Sequence, residues 1–99
     1  MSREIAFVEQ LRFRVAAEQR EAFLAHNRRW LAALRRQPGF LAQHTYRQSE
    51  DTDVWLVLVL WHDEAAMRAF PGELQQRLDE DEHPGWTFET AEHYWEVGE

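Results

Sequence analysis

One acidic side chain, Glu9, interrupts an apolar row near the start of the sequence. Residues 6–15 alternate between apolar and polar types, and this period of two predicts a β-strand. If the row packs beneath a helix, desolvation disfavours the charged carboxylate and raises its pKa. Such a carboxylate suits a general base that takes a proton from a phenol or an enol. The alternatives are an ion pair with Arg12 or Arg47, or a strand end at which Glu9 stays in water. The apolar members of the row are Phe7, Leu11, Phe13 and Val15.

Three further side chains on predicted strands could carry a proton, namely His44, Tyr46 and His93. Alternation along the last predicted strand places His93 in the same row as Trp95. An interior histidine held by its neighbours is therefore the simpler interpretation of His93.

Asn27 is the single asparagine of the chain and falls on the inward face of the first predicted helix. Its amide could donate a hydrogen bond to a substrate oxygen. The alternative is a tether that ties the helix to a strand.

Several reaction classes are excluded by residue types that the chain lacks. It contains no cysteine, so there is no thiolate nucleophile and no thiolate metal ligand. It contains no lysine either, which excludes a Schiff base with a substrate carbonyl. His62, Asp63 and Glu64 look like a metal-binding run, but neighbouring strand residues point to opposite faces, and Asp63 is better placed to cap a helix. We therefore expect no metal site.

Net charge and hydropathy narrow the range of partners. The formal net charge of −7 opposes binding to nucleic-acid phosphates. The longest apolar run, residues 54–61, is far shorter than the ~20 residues of a membrane helix. The first residues carry charge and no apolar targeting core, so no secretory signal is predicted. We expect a cytoplasmic protein with neither a nucleic-acid nor a membrane partner.

The periodicity of the chain predicts an α+β domain that spans residues 1–99. Helical spacing of apolar residues changes to alternation at Pro38-Gly39, which should end the first helix. Pro71 is expected to begin a further helical segment with Leu74 and Leu78 facing inward. The resulting β-α-β-β-α-β order is ferredoxin-like, with a four-stranded antiparallel sheet and two helices on one face. The predicted elements after the first strand are a helix over 18–36, strands over 40–48 and 54–61, a helix over 64–70 and a strand over about 86–97.

The third predicted strand, residues 54–61, is apolar on both of its faces. A strand of this kind must be covered on both sides. Two helices can cover only one face of a four-stranded sheet, so the other face needs a partner. The simplest partner is a second copy of the chain, which predicts a homodimer.

With this order established, three features resemble the antibiotic-biosynthesis monooxygenase superfamily. They are Pro38-Gly39-Phe40-Leu41 after the first helix, a third strand that ends in Trp61 before an acid-capped helix, and Leu11-x-Phe13-x-Val15. The resemblance runs from about Val8 to Val97 and is nearest to a subgroup of uncharacterised bacterial proteins. It implies a dimeric α+β barrel, in which two sheets pack face to face and each monomer keeps a pocket between its sheet and its helices.

The same resemblance implies a binding site for a small aromatic molecule. Trp61 matches the third-strand tryptophan that lines the pocket in several monooxygenase-type relatives. Trp30, Phe23 and Phe70 would wall the same cavity from the helices. The alternative for all four is that they are core aromatics.

Relatives in this superfamily include cofactor-free monooxygenases of polyketide-derived aromatics, quinol monooxygenases and haem-degrading enzymes. The haem-degrading members need a haem-ligating histidine on the second helix, and residues 64–80 contain none. The resemblance therefore favours a monooxygenase of a small aromatic or quinol-type substrate that needs no cofactor. In it Glu9, or nearby His93 or Tyr46, would take a proton. The alternative is a non-catalytic dimer that binds a ligand or has a filled pocket.

Overall fold

The computed structural model describes residues 3–70 and 86–98. The helical segment predicted to begin at Pro71, with Leu74 and Leu78, lies outside these residues. Within them, no helix combines the length and the apolar character needed to cross a membrane. The elements are β1 Arg3–Val15, a 3-10 turn Ala17–Gln19, α1 Arg20–Leu34, β2 Phe40–Arg47, β3 Val54–Trp61, α2 Glu64–Arg68 and β4 Trp86–Gly98.

These elements confirm the predicted ferredoxin-like order. The four strands form one antiparallel sheet in the order β2-β3-β1-β4, so β3 and β1 occupy its centre. The first strand begins three residues earlier than predicted, at Arg3, and the first helix is shorter than the predicted 18–36.

The chain reverses between α1 and β2 at Gly39, whose φ of 83° lies in the left-handed region that favours glycine. The carbonyl of Gly39 accepts a hydrogen bond from the backbone N–H of His62 at 2.7 Å. A Cβ added at Gly39 would lie 2.6 Å from the Cβ of Ala66 on α2. The absence of a side chain at Gly39, where the first helix was predicted to stop, therefore also allows α2 to lie close to the start of β2.

Asp63 begins α2, as predicted. Its Oδ1 accepts a hydrogen bond from the backbone N–H of Ala66 at 2.8 Å, which satisfies a donor of the first helical turn. This bond, followed by the contact with His62, lowers the pKa of the Asp63 carboxyl.

The core lies on the face of the sheet that α1 covers. Strand β3 shows the asymmetry, because the side chains that face α1 are at most 8% exposed, whereas Leu56, Leu58 and Leu60 on the other face are only half-buried. The helix-facing side chains of β3 are Trp55, Val57, Val59 and Trp61, and they pack with Phe7, Val15, Phe23, Leu34 and Trp86.

Candidate active site

A cavity of about 610 Å³ lies between the helix-facing side of the sheet and the helices. All four strands and both helices contribute to it. Aromatic and aliphatic side chains make up most of its surface, with a small set of polar groups among them. The lining consists of Glu9, Leu11, Phe13, Phe23, His26, Asn27, Trp30, Leu34, Gln43, Val57, Val59, Trp61, Met67, Arg68, Phe70, Phe88, Ala91 and His93.

Strand register places four of these residues side by side across the sheet. In strand order they are Gln43, Val59, Glu9 and His93. Paired residues of an antiparallel sheet point to the same face, and neighbouring strands lie about 4.8 Å apart. Polar groups therefore flank the small side chain of Val59 on a floor that is otherwise apolar.

The two oxygens of the Glu9 carboxylate have different neighbours, the buried Trp61 and the exposed His93. Its Oε1 accepts a hydrogen bond from the indole Nε1 of Trp61 at 3.3 Å. Its Oε2 lies 3.9 Å from Nε2 of His93. Burial raises the pKa of Glu9, while the bond from Trp61 and the charge of His93 offset part of this effect. The carboxyl therefore has the desolvated environment that the sequence predicted for a base.

The two arginines considered as partners of Glu9 lie elsewhere. The Nε of Arg12 is 3.2 Å from Oε1 of Glu89, in an ion pair at the surface. The guanidinium of Arg47 lies over the ring of Trp55, 6.0 Å from its centroid. The structure therefore shows neither the Glu9–Arg12 nor the Glu9–Arg47 ion pair that the sequence suggested.

His93 sits at the open side of the cavity. Its ring stacks on that of Phe7 with 5.6 Å between centroids, and its side chain is 41% exposed. The interpretation of His93 as an interior histidine is therefore wrong. It is placed instead between the Glu9 carboxylate and solvent.

Tyr46 does not join this group. It is 50% exposed and lies beside His44 on the opposite face of the sheet. Alternation along β2 turns Gln43 and Thr45 towards α1, and the same alternation turns Tyr46 away. The structure thus separates Tyr46 from Glu9, which corrects the expectation that both serve one site.

Asn27 is a tether between α1 and β2. Its Nδ2 donates to Oγ1 of Thr45 at 2.7 Å, and its Oδ1 accepts from Nε2 of Gln43 at 2.8 Å. Both ends of the amide are engaged, so of the two interpretations the tether fits. Among the described residues, the Oε1 of Gln43 is buried without a hydrogen-bond partner.

The aromatic walls include Trp30 and Phe70, while Trp61 is 1% exposed and touches the cavity from the core. Trp30 and Phe70 stack with 5.5 Å between centroids, and Phe70 meets Trp61 nearly edge-on at 6.4 Å. Phe23 is only 2% exposed and contacts the rings of Phe13, Trp55 and Trp86, so it is mainly a core residue that touches the cavity.

His26 is a lining residue that the sequence reading missed. It is 5% exposed, and its Nε2 accepts a hydrogen bond from Nε1 of Trp30 at 2.8 Å. This bond fixes the indole of Trp30 against the cavity. The four-residue spacing of His26 and Trp30, one helical turn, was the available signal.

Arg68 lines the cavity from α2. Its NH2 lies 2.9 Å from Oε1 of Glu64, one helical turn earlier, and the two side chains are 72% and 47% exposed. Exposed pairs with this spacing contribute only ~0.3–0.5 kcal/mol. The guanidinium is therefore held weakly where it is.

Over residues 3–70 and 86–98, no group of three or more histidine, aspartate or glutamate side chains is arranged to hold a metal ion. His62 and Asp63 form an exposed contact of 3.1 Å, and Asp63 serves as the helix cap. The run at 62–64 is therefore explained by local structure.

Sequence comparison identifies the family. The family model for antibiotic biosynthesis monooxygenases matches residues 6–77, and the chain belongs to this family. No curated protein sequence matches the chain.

Solved structures with the same fold share little sequence with this chain. SnoaB, a cofactor-independent oxygenase from Streptomyces nogalater, is 22% identical with a TM-score of 0.61, and the match covers 96% of this chain and 92% of that one. MupZ from Pseudomonas fluorescens is 12% identical with a TM-score of 0.76, over 92% and 68% of the two chains. A conserved protein from Methanosarcina mazei Go1 is 16% identical with a TM-score of 0.68, over 92% of each.

Proposed function

We propose that this protein is a cofactor-independent monooxygenase of a small hydroxylated aromatic molecule, with Glu9 as its general base. The observation that carries the proposal is the Glu9 carboxyl, whose pKa is raised by burial and which lies in the floor of an aromatic-walled cavity. A base needs contact with its substrate and a pKa near the working pH. Glu9 lines the cavity, where it can contact a substrate, and its pKa is raised towards the working pH.

The size of the cavity favours a bound molecule over a filled pocket. Small-molecule sites usually measure roughly 300–1,000 Å³, and the cavity measures about 610 Å³. Trp30 and Phe70, which are both partly exposed, offer ring faces on which a flat aromatic can stack.

The proposed reaction needs only the substrate, molecular oxygen and a base. Glu9 takes the hydroxyl proton of a phenol, which leaves an electron-rich aromatic anion. A ring carbon of this anion forms a bond to O₂, and the resulting peroxide takes the proton back from Glu9. The hydroperoxide formed in this way loses water to leave a quinone. For 1-naphthol the balance is one phenol and one O₂ giving one 1,4-naphthoquinone and one water.

Trp61 and His93 act on Glu9 in different ways in this proposal. The indole N–H of Trp61 holds one carboxylate oxygen and favours its charged form. His93 lies 3.9 Å from the other oxygen and is 41% exposed, so its ring separates that oxygen from solvent. The cofactor-independent oxygenase activity of SnoaB supports the reaction class, and the choice of substrate rests on the cavity of this chain.

We also propose that the outer face of the sheet pairs with a second copy of the chain. On that face Leu56, Leu58 and Leu60 are only half-buried, and Tyr46 and Tyr94 are about half exposed. Burying such side chains against a partner removes apolar surface from water.

The test is oxygen uptake by the purified protein with 1-naphthol. The proposal expects uptake above the protein-free rate and, under ¹⁸O₂, one labelled oxygen atom in the quinone by mass spectrometry. Binding of 1-naphthol without oxygen uptake would favour a ligand-binding dimer instead. Absence of binding across a panel of naphthols and quinols would favour a packed, non-catalytic protein.

A further inference from the structure

Arg68 differs from the other described residues that line the cavity, because it is the one arginine among them. It lies on α2 next to Met67 and two residues before Phe70, which also line the cavity. A ring bound in the cavity against Phe70 would therefore share the cavity with the Arg68 side chain. The remaining lining offers few groups that attract an anion.

We propose that the substrate is a hydroxylated aromatic that also carries a carboxylate or similar anion, and that Arg68 selects it. The aromatic part of this statement rests on the proposed function. Guanidinium groups bind carboxylates through two parallel hydrogen bonds, which gives specificity as well as attraction. Because Arg68 is largely exposed, an anion at this point keeps part of its hydration and its desolvation cost stays small.

Glu64 competes with the substrate for Arg68. Its carboxylate already occupies the guanidinium at 2.9 Å, in a pair that solvent weakens. A substrate anion must displace Glu64 or share the guanidinium with it. The two residues therefore have opposite effects on binding, although they stabilise α2 as one pair. If the pair were only structural, loss of either residue would have the same effect on binding. If Arg68 selects the substrate, loss of Arg68 and loss of Glu64 should have opposite effects.

The experiment compares two probes that differ by one carboxylate, 1-naphthol and 5-hydroxy-1-naphthoate. Their Kd values are measured by calorimetry under nitrogen, so that no turnover takes place. The selectivity is the Kd of 1-naphthol divided by that of 5-hydroxy-1-naphthoate. The proteins are wild type, Arg68→Gln, Arg68→Lys and Glu64→Gln, with unfolding curves recorded for each.

Wild type should prefer 5-hydroxy-1-naphthoate about fivefold at low salt, the scale of a favourable exposed ion pair. Arg68→Gln should remove the preference, Arg68→Lys should keep part of it, and Glu64→Gln should increase it. The wild-type preference should shrink at high salt, since screening weakens exposed pairs.

Equal Kd values for the two probes in wild type would overturn the proposal, as would no measurable binding of 5-hydroxy-1-naphthoate. A change of selectivity in the same direction in Arg68→Gln and Glu64→Gln would also overturn it. Selective binding without oxygen uptake would reject the monooxygenase activity and leave the role of Arg68 standing. Oxygen uptake with no selectivity between the two probes would reject the role of Arg68 and leave the monooxygenase activity standing.

Discussion

The indole Nε1 of Trp61 and the Oε1 of Glu9 lie 3.3 Å apart and join the two central strands of the sheet by a hydrogen bond inside the cavity. The bond favours the charged carboxylate, whereas the surrounding apolar residues favour the neutral acid. Burial is the larger effect, so the pKa of Glu9 is raised. A carboxylate that costs stability when it is charged is expected where it serves a reaction.

Replacing this carboxyl by an amide should change stability in a pH-dependent way. The raised pKa means that the folded state binds more protons than the unfolded state, from pH 4.5 up to the folded-state pKa. The contribution of Glu9 to the free energy of unfolding therefore falls as pH rises through that window and then levels off. Glu9→Gln lacks this fall and can still accept a bond from Trp61.

Urea unfolding of Glu9→Gln and wild type from pH 4 to 8 measures the difference. The variant should gain stability relative to wild type with rising pH. Glu21→Gln, which removes an exposed carboxylate on α1, controls for the loss of one charge. A stability difference that is flat with pH, or that falls, would mean that Glu9 is not strained by burial.

Trp61→Phe keeps a ring and removes the donor to Glu9. Since the bond lowers the pKa of Glu9, its loss should raise that pKa further and shift the acid limb of the activity profile to higher pH. Loss of the bond and of ring volume should cost ~1–3 kcal/mol of stability. The pH dependence of kcat/KM for 1-naphthol oxidation checks the shift.

Trp55→Phe is the matched control for Trp61→Phe. Trp55 is buried on the same face of the same strand, and within the described part of the chain its Nε1 has no hydrogen-bond partner. It should lose stability without moving the pH profile. If both variants move the profile equally, the bond to Glu9 is not the cause.

Gly39→Ala should destabilise the turn into β2 by ~1–3 kcal/mol, because alanine rarely adopts a positive φ and the added Cβ meets Ala66. Urea midpoints measure the loss. Gly39→Ala should cost less in an Ala66→Gly background, since that change removes the contact but not the backbone strain. An unchanged midpoint for Gly39→Ala would show that neither the positive φ nor the contact with Ala66 constrains this turn.

Leu58→Arg places a charge at the centre of the outer sheet face, beside Gln10 and His44. If that face pairs two copies, wild type should sediment at twice the 11.9 kDa of one chain, and the variant should sediment as a monomer. Ala65→Arg, at an exposed position on α2, should remain dimeric. A wild-type monomer at micromolar concentration would contradict the pairing.

The elements of the fold were predictable because their signals are local. The alternation in β1 and β3, the Pro38-Gly39 stop and the Asp63 cap each depend on a few adjacent residues. The row that contains Glu9 followed from the same alternation, since a strand has only two faces.

The polar neighbours in the cavity depend on contacts between distant segments and were harder to predict. The tether of Asn27 to Thr45 and Gln43 depends on how α1 crosses β2. Tyr46 is an example. Alternation shows that Tyr46 and Thr45 point to opposite faces of the sheet, but it does not show which of these two side chains points towards the helices. Arg68 reaches the cavity only through the placement of α2, which short-range spacing does not determine.

The most direct test of the central claim is the single-turnover rate of 1-naphthol oxidation, measured with saturating oxygen in wild type and Glu9→Gln. Removing a general base typically lowers the rate by ~10²–10⁴-fold. We expect a loss of this size in Glu9→Gln, with the Kd of 1-naphthol changed by less than about threefold, since the amide keeps the shape of the site. A variant that oxidises 1-naphthol at the wild-type rate would contradict the assignment of Glu9 as the base.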